Sequence, residues 1–384
     1  MTFTLEALQA NDGDCLLLHY QNKASAAPTR VLIDGGSKGV YASILSKRLA
    51  QLQSGGSLEL RMAMVSHIDA DHITGILDLL RALEKARDDG DEPSCAIDTL
   101  WLNSFDRLNA GTPAVAKSSA VAASIDGIIP PHGLDPFAAA VVASVPQANR
   151  VRDTATRLGI SINDGAARDG LVEAPAKGRC KVTIAPGLTF TVIAPHTAQL
   201  ARLKDEFAKA KAKHGAQDAA LAADYLNNTV PNMSSIVVMA EAAPAGNKQP
   251  LQMLLTGDAR GDVILESLNL AGYMKKGRCH VDLLKVQHHG SSHSITQDFF
   301  ERVTADHYVI SGNGKHGIPH PDALHWLSAS RSGESYNAYL TNRIGVLGLK
   351  KTLDAFLASE AATEKRHCYH FRNEKDLSLS VALA

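Results

Sequence analysis

Short apolar runs and amphipathic segments with a helical period alternate along the chain. Period-two alternation and short apolar runs predict strands, whereas apolar residues every three or four positions predict helices. Strands are predicted at Thr2–Leu8, Cys15–Tyr20, Val31–Ile33, Met62–Val65, Thr99–Leu102, Leu188–Ala194, Ile236–Ala240, Leu251–Leu255, Val281–Val286, His307–Ile310, Ala338–Thr341 and Gly345–Leu349, with a final hairpin at Lys365–Ala384. Helices are predicted at Val40–Leu52, Ile73–Arg87, Thr197–Lys213, Asp262–Leu270 and Asp322–Ser328. The pattern predicts a layered α/β architecture with polar residues at strand ends.

The pattern changes over residues 103–180. This segment is Ala-rich, with helical runs at Ala114–Ile125, Phe137–Val145 and Asn149–Leu158. Its content of large apolar residues is too low for a core of its own. We therefore predict a single domain over residues 1–384, with 103–180 as a mostly helical insertion or lid.

Composition limits the function classes. The chain has 384 residues, is 45% hydrophobic and has a net charge of −1, so bulk charge favours neither nucleic acid nor a membrane surface. The five cysteines are widely spaced and form no metal-binding pair, which predicts free thiols in a reducing cytosol. Without a signal-like N-terminus or an apolar run of membrane-spanning length, we expect a cytoplasmic protein without a membrane partner.

Four potential metal ligands follow the strand Met62–Val65, namely His67, Asp69, Asp71 and His72. Imidazole and carboxylate groups bind zinc, manganese and iron. In an extended loop His67, Asp69 and Asp71 point the same way, which leaves His72 for a second metal. The alternative interpretation is a solvated loop with carboxylates and a helix cap.

Two later strand ends carry the same chemistry. Asp258 follows Thr256-Gly257, where a carboxylate can bridge two cations, and His288-His289 precede Gly290. Each pair alone is also typical of surface residues. Ligand-type residues at several strand ends together predict a dinuclear centre.

In order, these motifs resemble the metallo-β-lactamase superfamily. More closely they resemble its branch with the metallohydrolase domain of ComEC competence proteins. The residues that carry the resemblance are Asp34-Gly35-Gly36, His67-x-Asp69-x-Asp71-His72, Thr256-Gly257-Asp258 and His288-His289-Gly290, and for the branch Gly13-Asp14, Asn232-Met233-Ser234-Ser235 and Gly317-Ile318-Pro319-His320-Pro321.

The resemblance implies an αββα sandwich with two divalent cations, Zn or Mn, between the edges of its sheets. It implies that His67 and Asp69 hold one cation, that Asp71, His72 and His289 hold the other, and that Asp258 bridges them. For two-metal hydrolysis at such a centre, we expect Asp71 or Asp258 to accept the proton of the attacking water. The resemblance also implies orienting or substrate-binding roles for Asp34, Asn232, Ser235, His288 and His320.

Two departures from the family pattern concern the first cation. Asp69 stands where the family usually has histidine, which favours manganese or magnesium over zinc, or weakens the site. The separate mid-chain histidine is replaced by Asn232, with His196 as the other candidate.

The leading functional prediction is a metal-dependent phosphodiesterase or nuclease. Nucleic acid or another phosphodiester is then the substrate, aided by a basic patch at Lys275–Arg278 or from arginines at 150–180 and by phosphate-binding loops at Gly290–His293 and Lys315–Gly317. One alternative is hydrolysis of a small ester, lactone, thioester or phosphocholine-type substrate, since fold does not decide substrate. Another is a partner-binding subunit of a bacterial defence-type system with a weak metal site.

Overall fold

Two large β-sheets form the centre of the protein. The structure is a computed structural model that describes residues 1–23, 26–53, 58–103, 136–168, 170–197, 199–200, 234–244, 249–362 and 366–384. In spatial order the first sheet contains β19 (Ser378–Ala382), β1 (Thr2–Leu8), β2 (Leu16–Gln21), β3 (Thr29–Ile33), β5 (Met62–Met64), β7 (Thr99–Trp101) and β8 (Ser161–Ile162). The second contains β11 (Cys180–Ala185), β12 (Leu188–Ala194), β13 (Val237–Ala242), β14 (Leu251–Leu255), β15 (Cys279–Lys285), β16 (Val303–Ile310), β17 (Tyr336–Leu340) and β18 (His367–Phe371). Two small pairs join β4 (Leu58–Leu60) to β6 (Cys95–Ile97) and β9 (Ala167–Arg168) to β10 (Leu171–Val172).

Helices cover the outer faces of both sheets. Those beside the first sheet are α1 (Ser46–Leu52), which continues a π-helical turn at Tyr41–Leu45, α2 (Ala70–Asp89) and α3 (Pro136–Arg157). Those beside the second sheet are α4 (Gly261–Leu270), α5 (Gln297–Arg302), α6 (Pro321–Ser330) and α7 (Leu349–Ala361).

Three apolar cores define the layers. Phe3 of the first sheet and Phe190 of the second share the central core. Leu17 packs with Ile76 and Val151 in a core between the first sheet and its helices, and a third core lies under the helices of the second sheet. Apolar side chains on both faces of each sheet produce this order of layers. The predicted four-layer αββα sandwich is confirmed.

Parallel strands place the candidate chemistry at one edge. Strands β14, β15, β16, β17 and β18 run parallel as neighbours, so the loops that follow them leave the same edge of the second sheet. Strands β3, β5 and β7 are likewise parallel in the first sheet. Side-chain contacts between residues after β5 and β14 show that the two edges adjoin.

Two C-terminal predictions are wrong. The segment Gly345–Leu349 is not a strand, because β17 pairs with β18 and a helix begins at Leu349. The tail is not a hairpin either: β18 joins the second sheet, whereas β19 pairs with β1 in the first and buries Val381 in the central core. Most of the predicted helix 197–213 lies outside the described residues.

The described part of residues 103–180 packs on the shared core. Ala148, Val151 and Ala155 of α3 belong to the apolar core beside the first sheet, and β8 extends that sheet beyond β7. The run Ala114–Ile125 lies outside the described residues. The single-domain organisation and the insertion or lid role of the segment stay predictions. In the part of the chain that the structure describes, every helix is too short or too polar to traverse a bilayer.

Candidate metal centre

The loop between β5 and α2 differs from the predicted extended conformation. Asp69 is the N-cap of α2, so Asp71 and His72 lie in the first helical turn. The helix packs closely on the loop after β3: a Cβ at Gly75 would lie 1.9 Å from the carbonyl oxygen of Gly35. The helical turn brings His72 to the carboxylate that His67 also approaches.

That carboxylate belongs to Asp258, at the end of β14. Its Oδ1 atom lies 3.4 Å from Nε2 of His72 and 3.6 Å from Nε2 of His289. Its Oδ2 atom lies 3.7 Å from Nε2 of His67 and 3.7 Å from Nε2 of His288. Each oxygen therefore faces a different pair of imidazoles, which is the arrangement that a bridging carboxylate requires.

Two further carboxylates complete the inner contacts. Asp71 Oδ2 lies 3.7 Å from Nε2 of His72 and 3.5 Å from Nε2 of His289, and Asp69 Oδ2 lies 3.6 Å from Nε2 of His67. Two donors about 2.1 Å from one tetrahedral ion are about 3.4 Å apart, so these separations match ligands of a common cation. We call Asp71, His72, His289 and Asp258 Oδ1 the His72 cluster, and His67, Asp69 and Asp258 Oδ2 the His67 cluster.

The inward-facing atoms fit a metal. Among the described residues, Nε2 of His67, His72 and His289 and Oδ1 of Asp258 are buried without a hydrogen-bond partner. Buried polar atoms are nearly always satisfied, and a cation satisfies imidazole nitrogen and carboxylate oxygen together. Asp14, His72, Asp258 and His289 also offer ligand-type atoms that all lie within 4.8 Å of one another.

The opposite ring nitrogens in the His72 cluster are held by buried groups. His72 Nδ1 lies 2.8 Å from Oδ2 of Asp34, whose Oδ1 accepts the backbone N–H of Ser66 at 2.7 Å. His289 Nδ1 lies 2.8 Å from Oγ of Ser311, which donates to Oδ1 of Asp14. Such contacts fix the tautomer and turn Nε2 inward, as is usual for metal-binding histidines.

A buried lysine lies behind this cluster. The side chain of Lys285 is 1% exposed, and its Nζ lies 2.9 Å from Oδ2 of Asp14. A buried ammonium group is stable only when it is paired. Lys285 therefore compensates the charge of Asp14 on the side away from the inner ligands.

The turn that carries the two adjacent histidines has an unusual backbone. His288 and His289 have φ values of 46° and 53°, and Gly290 continues in the left-handed region with a φ of 84°. Each non-glycine residue there costs about 1–3 kcal/mol, and such residues are concentrated at functional sites. Hydrogen bonds from His288 N to Gly257 O at 3.1 Å and from His320 N to Gly290 O at 3.0 Å hold the turn.

Burial and charge act in opposite directions on the imidazoles of the His72 cluster. Burial disfavours the charged form, but the carboxylates of Asp258 and Asp34 raise the pKa of His72 well above its usual value. At His289, burial is likewise outweighed by Asp258 and Asp14, which raise the pKa to about 9. Without a cation, protonated His72 and His289 therefore balance the charge of the neighbouring carboxylates.

The pKa values of Asp258, Asp71 and His288 are lowered rather than raised. Burial opposes ionisation of Asp258 and Asp71, yet the imidazoles of His289 and His72 hold the pKa of both carboxyls well below the usual range. Burial is the dominant effect at His288 and lowers its pKa. His288 therefore favours the neutral form, in which an imidazole nitrogen can bind a metal.

The remaining predicted residues lie around the centre or outside the residues that the structure describes. Ser235 is buried beside Gly257, where an added Cβ would lie 3.7 Å from Ser235 Cβ. His320 accepts the backbone N–H of Ser292 at 3.0 Å and so supports the loop after the histidine turn. Asn232 lies outside the described residues. His196 ends β12 at the same edge as Asp258, with its Nδ1 atom 3.0 Å from Pro175 O and a buried Nε2.

Sequence reasoning did not place Asp14, Ser311 and Lys285 at the centre. The sequence analysis uses Gly13-Asp14 only as a motif of the branch. In the structure a Cβ at Gly13 would lie 1.7 Å from the carbonyl oxygen of Asp71, so this turn packs directly against α2. Lys285 had a visible signal, because a lysine inside the apolar run Val281–Val286 requires a buried partner. Ser311 carried no signal, since a serine after a strand is ordinary.

Similarity to known proteins is found among solved structures. No protein-family model matches the chain, and no curated protein sequence matches it. Among solved structures, the chain is similar to metallo-β-lactamase SMB-1 bound to 2-mercaptoethanesulfonate, with 12% identity, a TM-score of 0.32, and coverage of 92% of this chain and 93% of that one.

Proposed function

We propose that this protein is a metal-dependent hydrolase of the metallo-β-lactamase superfamily that cleaves phosphodiester bonds with two divalent cations. The observation that carries the proposal is the position of Asp258, whose two oxygens lie 3.4–3.7 Å from the inward nitrogens of two separate histidine pairs. In this proposal His67 and Asp69 hold the first cation, Asp71, His72 and His289 hold the second, and Asp258 bridges them.

Charge balance supports a count of two. Among the described residues, one buried lysine and five carboxylates lie at the centre, namely Lys285, Asp14, Asp34, Asp69, Asp71 and Asp258. Their formal net charge of −4 equals the charge that two divalent cations neutralise. With a single cation, protons on the imidazoles would have to balance the remaining charge, and a protonated imidazole does not bind a metal.

Divalent cations at such a centre lower the pKa of a nearby water and stabilise negative charge on a substrate oxygen. Among the chain's own groups, Asp71 is the best placed to take up the proton of the attacking water, because its side chain is 28% exposed and reaches solvent. Asp34 and Asp14 keep His72 and His289 in the tautomer with Nε2 inward.

Phosphodiester chemistry is favoured by the ligand set. Three of the inner ligands are carboxylates, which suit harder cations such as manganese and magnesium. The loop at 290–293 directly follows His289. The loop at 315–317 is connected to it through His320, whose backbone N donates to Gly290 O and whose Nε2 atom lies 3.3 Å from His316 O. Both loops carry N–H groups and side chains suited to phosphate. Lys315 also pairs with Asp12 at this rim.

A substrate panel tests the proposal. Metal-free protein would be reconstituted with Mn²⁺ or Zn²⁺ and assayed on bis-p-nitrophenyl phosphate, single-stranded DNA, duplex DNA, RNA and a lactone. We expect turnover of a phosphodiester with Mn²⁺, loss of turnover in His67→Ala and Asp258→Ala, and full turnover in His280→Ala, since His280 is exposed at the opposite end of β15. Turnover of the lactone alone contradicts the phosphodiester assignment.

One observation favours the second candidate, hydrolysis of a small ester, lactone or thioester. Ile344, Val346 and Leu347 are exposed in the loop after β17, and Val346 N donates to Asn313 O at 2.8 Å, two residues beyond Ser311. This exposed apolar segment lies at the edge of the sheet that carries the centre and suits a substrate with an apolar group. The turn Lys275–Arg278 precedes β15 and is therefore remote from that edge, so it is not a basic patch beside the centre.

The partner-binding alternative is separated from both enzyme candidates by metal analysis. A non-catalytic subunit with a vestigial centre would retain neither Mn²⁺ nor Zn²⁺ after reconstitution and dialysis. Stoichiometric retention of either cation favours the enzyme candidates.

A further inference from the structure

His288 lies beside the oxygen that the His67 cluster uses. Its Nε2 atom is 3.7 Å from Asp258 Oδ2, the same separation as between His67 Nε2 and that oxygen. Donors of one tetrahedral ion lie about 3.4 Å apart, so both imidazoles are at the distance expected for ligands of one cation. His288 thus occupies a ligand position for which the sequence offered only an orienting or substrate-binding role.

Its ring is oriented as a ligand's would be. The Nδ1 atom lies 2.6 Å from Oγ of Ser294, which leaves Nε2 as the atom that faces Asp258. The same division of roles holds at His72 and His289, where Nδ1 contacts a buried oxygen and Nε2 turns inward.

The left-handed turn explains how the adjacent residues His288 and His289 both reach the carboxylate of Asp258. Consecutive residues of a regular strand point to opposite faces, so adjacent histidines ordinarily diverge. The left-handed backbone at both His288 and His289 ends that alternation, and their Nε2 atoms reach the two oxygens of Asp258. A turn that costs free energy to bring both rings inward indicates that both rings have a function.

The His67 cluster has room for a further donor. Among the described residues, His67, Asp69 and Asp258 Oδ2 supply it with three ligand atoms, so a tetrahedral ion held there has one position left for another ligand. Resting on the function proposed above, we infer that His288 is the fourth protein ligand of the first cation, in place of the mid-chain residue expected at Asn232 or His196.

The test counts cations in a variant that keeps the turn. His288→Asn is suitable because asparagine tolerates a positive φ and its shorter side chain withdraws from Asp258. Metal-free protein would be dialysed against Mn²⁺, its metal content measured, and both affinities determined by calorimetry. We expect two Mn²⁺ in the unsubstituted protein and one in His288→Asn, with the first-cation affinity at least about 100-fold weaker and the second-cation affinity nearly unchanged.

Electron paramagnetic resonance gives a readout independent of activity. A pair of bridged Mn²⁺ ions gives an exchange-coupled spectrum, and an isolated Mn²⁺ ion does not. We expect the coupled spectrum to disappear in His288→Asn and to persist in His280→Ala, whose exposed imidazole lies at the opposite end of β15.

The competing ligands are tested in parallel. Asn232→Ala and His196→Ala should each keep two Mn²⁺ and the coupled spectrum. The inference is overturned if His288→Asn still binds two Mn²⁺ with unchanged affinities, or if Asn232→Ala or His196→Ala removes the first cation instead. A lack of metal in the unsubstituted protein overturns the proposed function as well, so the two failures are distinguishable.

Discussion

The two histidine pairs around Asp258 are held from behind by different chemistry. In the His72 cluster, Nδ1 of His72 contacts the Asp34 carboxylate at 2.8 Å, and Nδ1 of His289 reaches the Asp14 carboxylate through Ser311. On the other side, Nδ1 of His67 lies 3.2 Å from the hydroxyl of Ser66, which donates to the same Asp34 carboxylate. Nδ1 of His288 contacts the neutral hydroxyl of Ser294, so the direct contact with a carboxylate is made in the His72 cluster.

This difference predicts unequal cation affinities. A carboxylate acceptor makes an imidazole a better donor to a metal, and hydrogen bonds to charged groups are about twice as strong as neutral ones. The His72 cluster should therefore bind its cation tightly, while the His67 cluster fills at a higher metal concentration. The centre would gain the cation of the His67 cluster in a separate, weaker step.

The largest effect should follow a change at the carboxylate that both sides share. Asp258→Ala removes the bridging ligand from both clusters and should lower kcat/KM at least about 10³-fold, since metal chemistry contributes several kcal/mol to a hydrolytic barrier. Activity and metal content would be measured with Asp306→Ala as the control, because Asp306 is exposed on β16. Retention of one tightly bound cation by Asp258→Ala would show that the clusters are independent.

A change at Asp34 should affect the cation of the His72 cluster most, because Asp34 contacts His72 directly and His67 only through the hydroxyl of Ser66. Asp34→Asn leaves a neutral group in place of the carboxylate that contacts His72 Nδ1 and Ser66 N. The tighter Mn²⁺ affinity should fall by about 10–100-fold, the range typical of residues that support a ligand. Calorimetric titration resolves the two steps, and an equal loss in the weaker step would contradict the separation of the clusters.

Local patterns predicted most of the fold because strands β1, β12 and β14 have strong apolar signals and buried faces. The tail was mispredicted because β18 and β19 lie close in sequence but join different sheets, a tertiary choice that local pattern does not encode. The helix at Leu349–Ala361 was missed because the apolar residues at 344–349 imitate a strand, although Ile344 and Leu347 are exposed.

The residues of the candidate centre could likewise be predicted only in part from the sequence. Inner residues such as Asp258 could be chosen from sequence, because ligand-type side chains at strand ends are conspicuous. Of the groups that hold the ring nitrogens, Asp34 has the orienting role that the resemblance implies, since it lies 2.8 Å from His72 Nδ1. The role of Asp14 could not be chosen, because Asp14 and His289 are brought together only by the packing of two sheets. The position of His288 depends on a left-handed backbone, which a non-glycine sequence does not announce.

The cation affinities of the two clusters should depend differently on pH. In the metal-free protein the pKa of His289 is about 9, so at neutral pH a cation must displace its proton. Affinity for the tighter cation should rise about tenfold per pH unit for each proton displaced, until about pH 9. In the weaker step burial lowers the pKa of His288, whereas at His67 burial is outweighed by Asp258 and Asp69, which raise the pKa. Since the pKa values of both His72 and His289 are raised, the weaker step should release fewer protons than the tighter one.

The same shift affects the stability of the metal-free protein. Because the folded pKa of His289 lies above its ordinary value of 6.5, the stabilisation is complete below pH 6.5 and is lost as the pH rises through about 9. Thermal unfolding of metal-free protein should therefore occur at a lower Tm at alkaline pH, and bound Mn²⁺ should reduce this dependence. Calorimetry in two buffers with different protonation enthalpies counts the released protons, and equal release in both binding steps would contradict the comparison.

The smallest effect should come from the neutral contact behind His288. Ser294→Ala removes the hydroxyl that lies 2.6 Å from His288 Nδ1 and leaves the ring free to turn. A neutral hydrogen bond contributes about 0.5–1.5 kcal/mol, so the weaker Mn²⁺ affinity should fall by only about 2–10-fold, and the tighter affinity should stay the same. Ser330→Ala is the matched control, because that hydroxyl bonds only within α6 to Leu327 O among the contacts described. A loss in Ser294→Ala as large as that in Asp34→Asn would mean that hydroxyl and carboxylate supports are equivalent here. The unequal filling of the two clusters would then need another cause, such as the 15% exposure of Asp69.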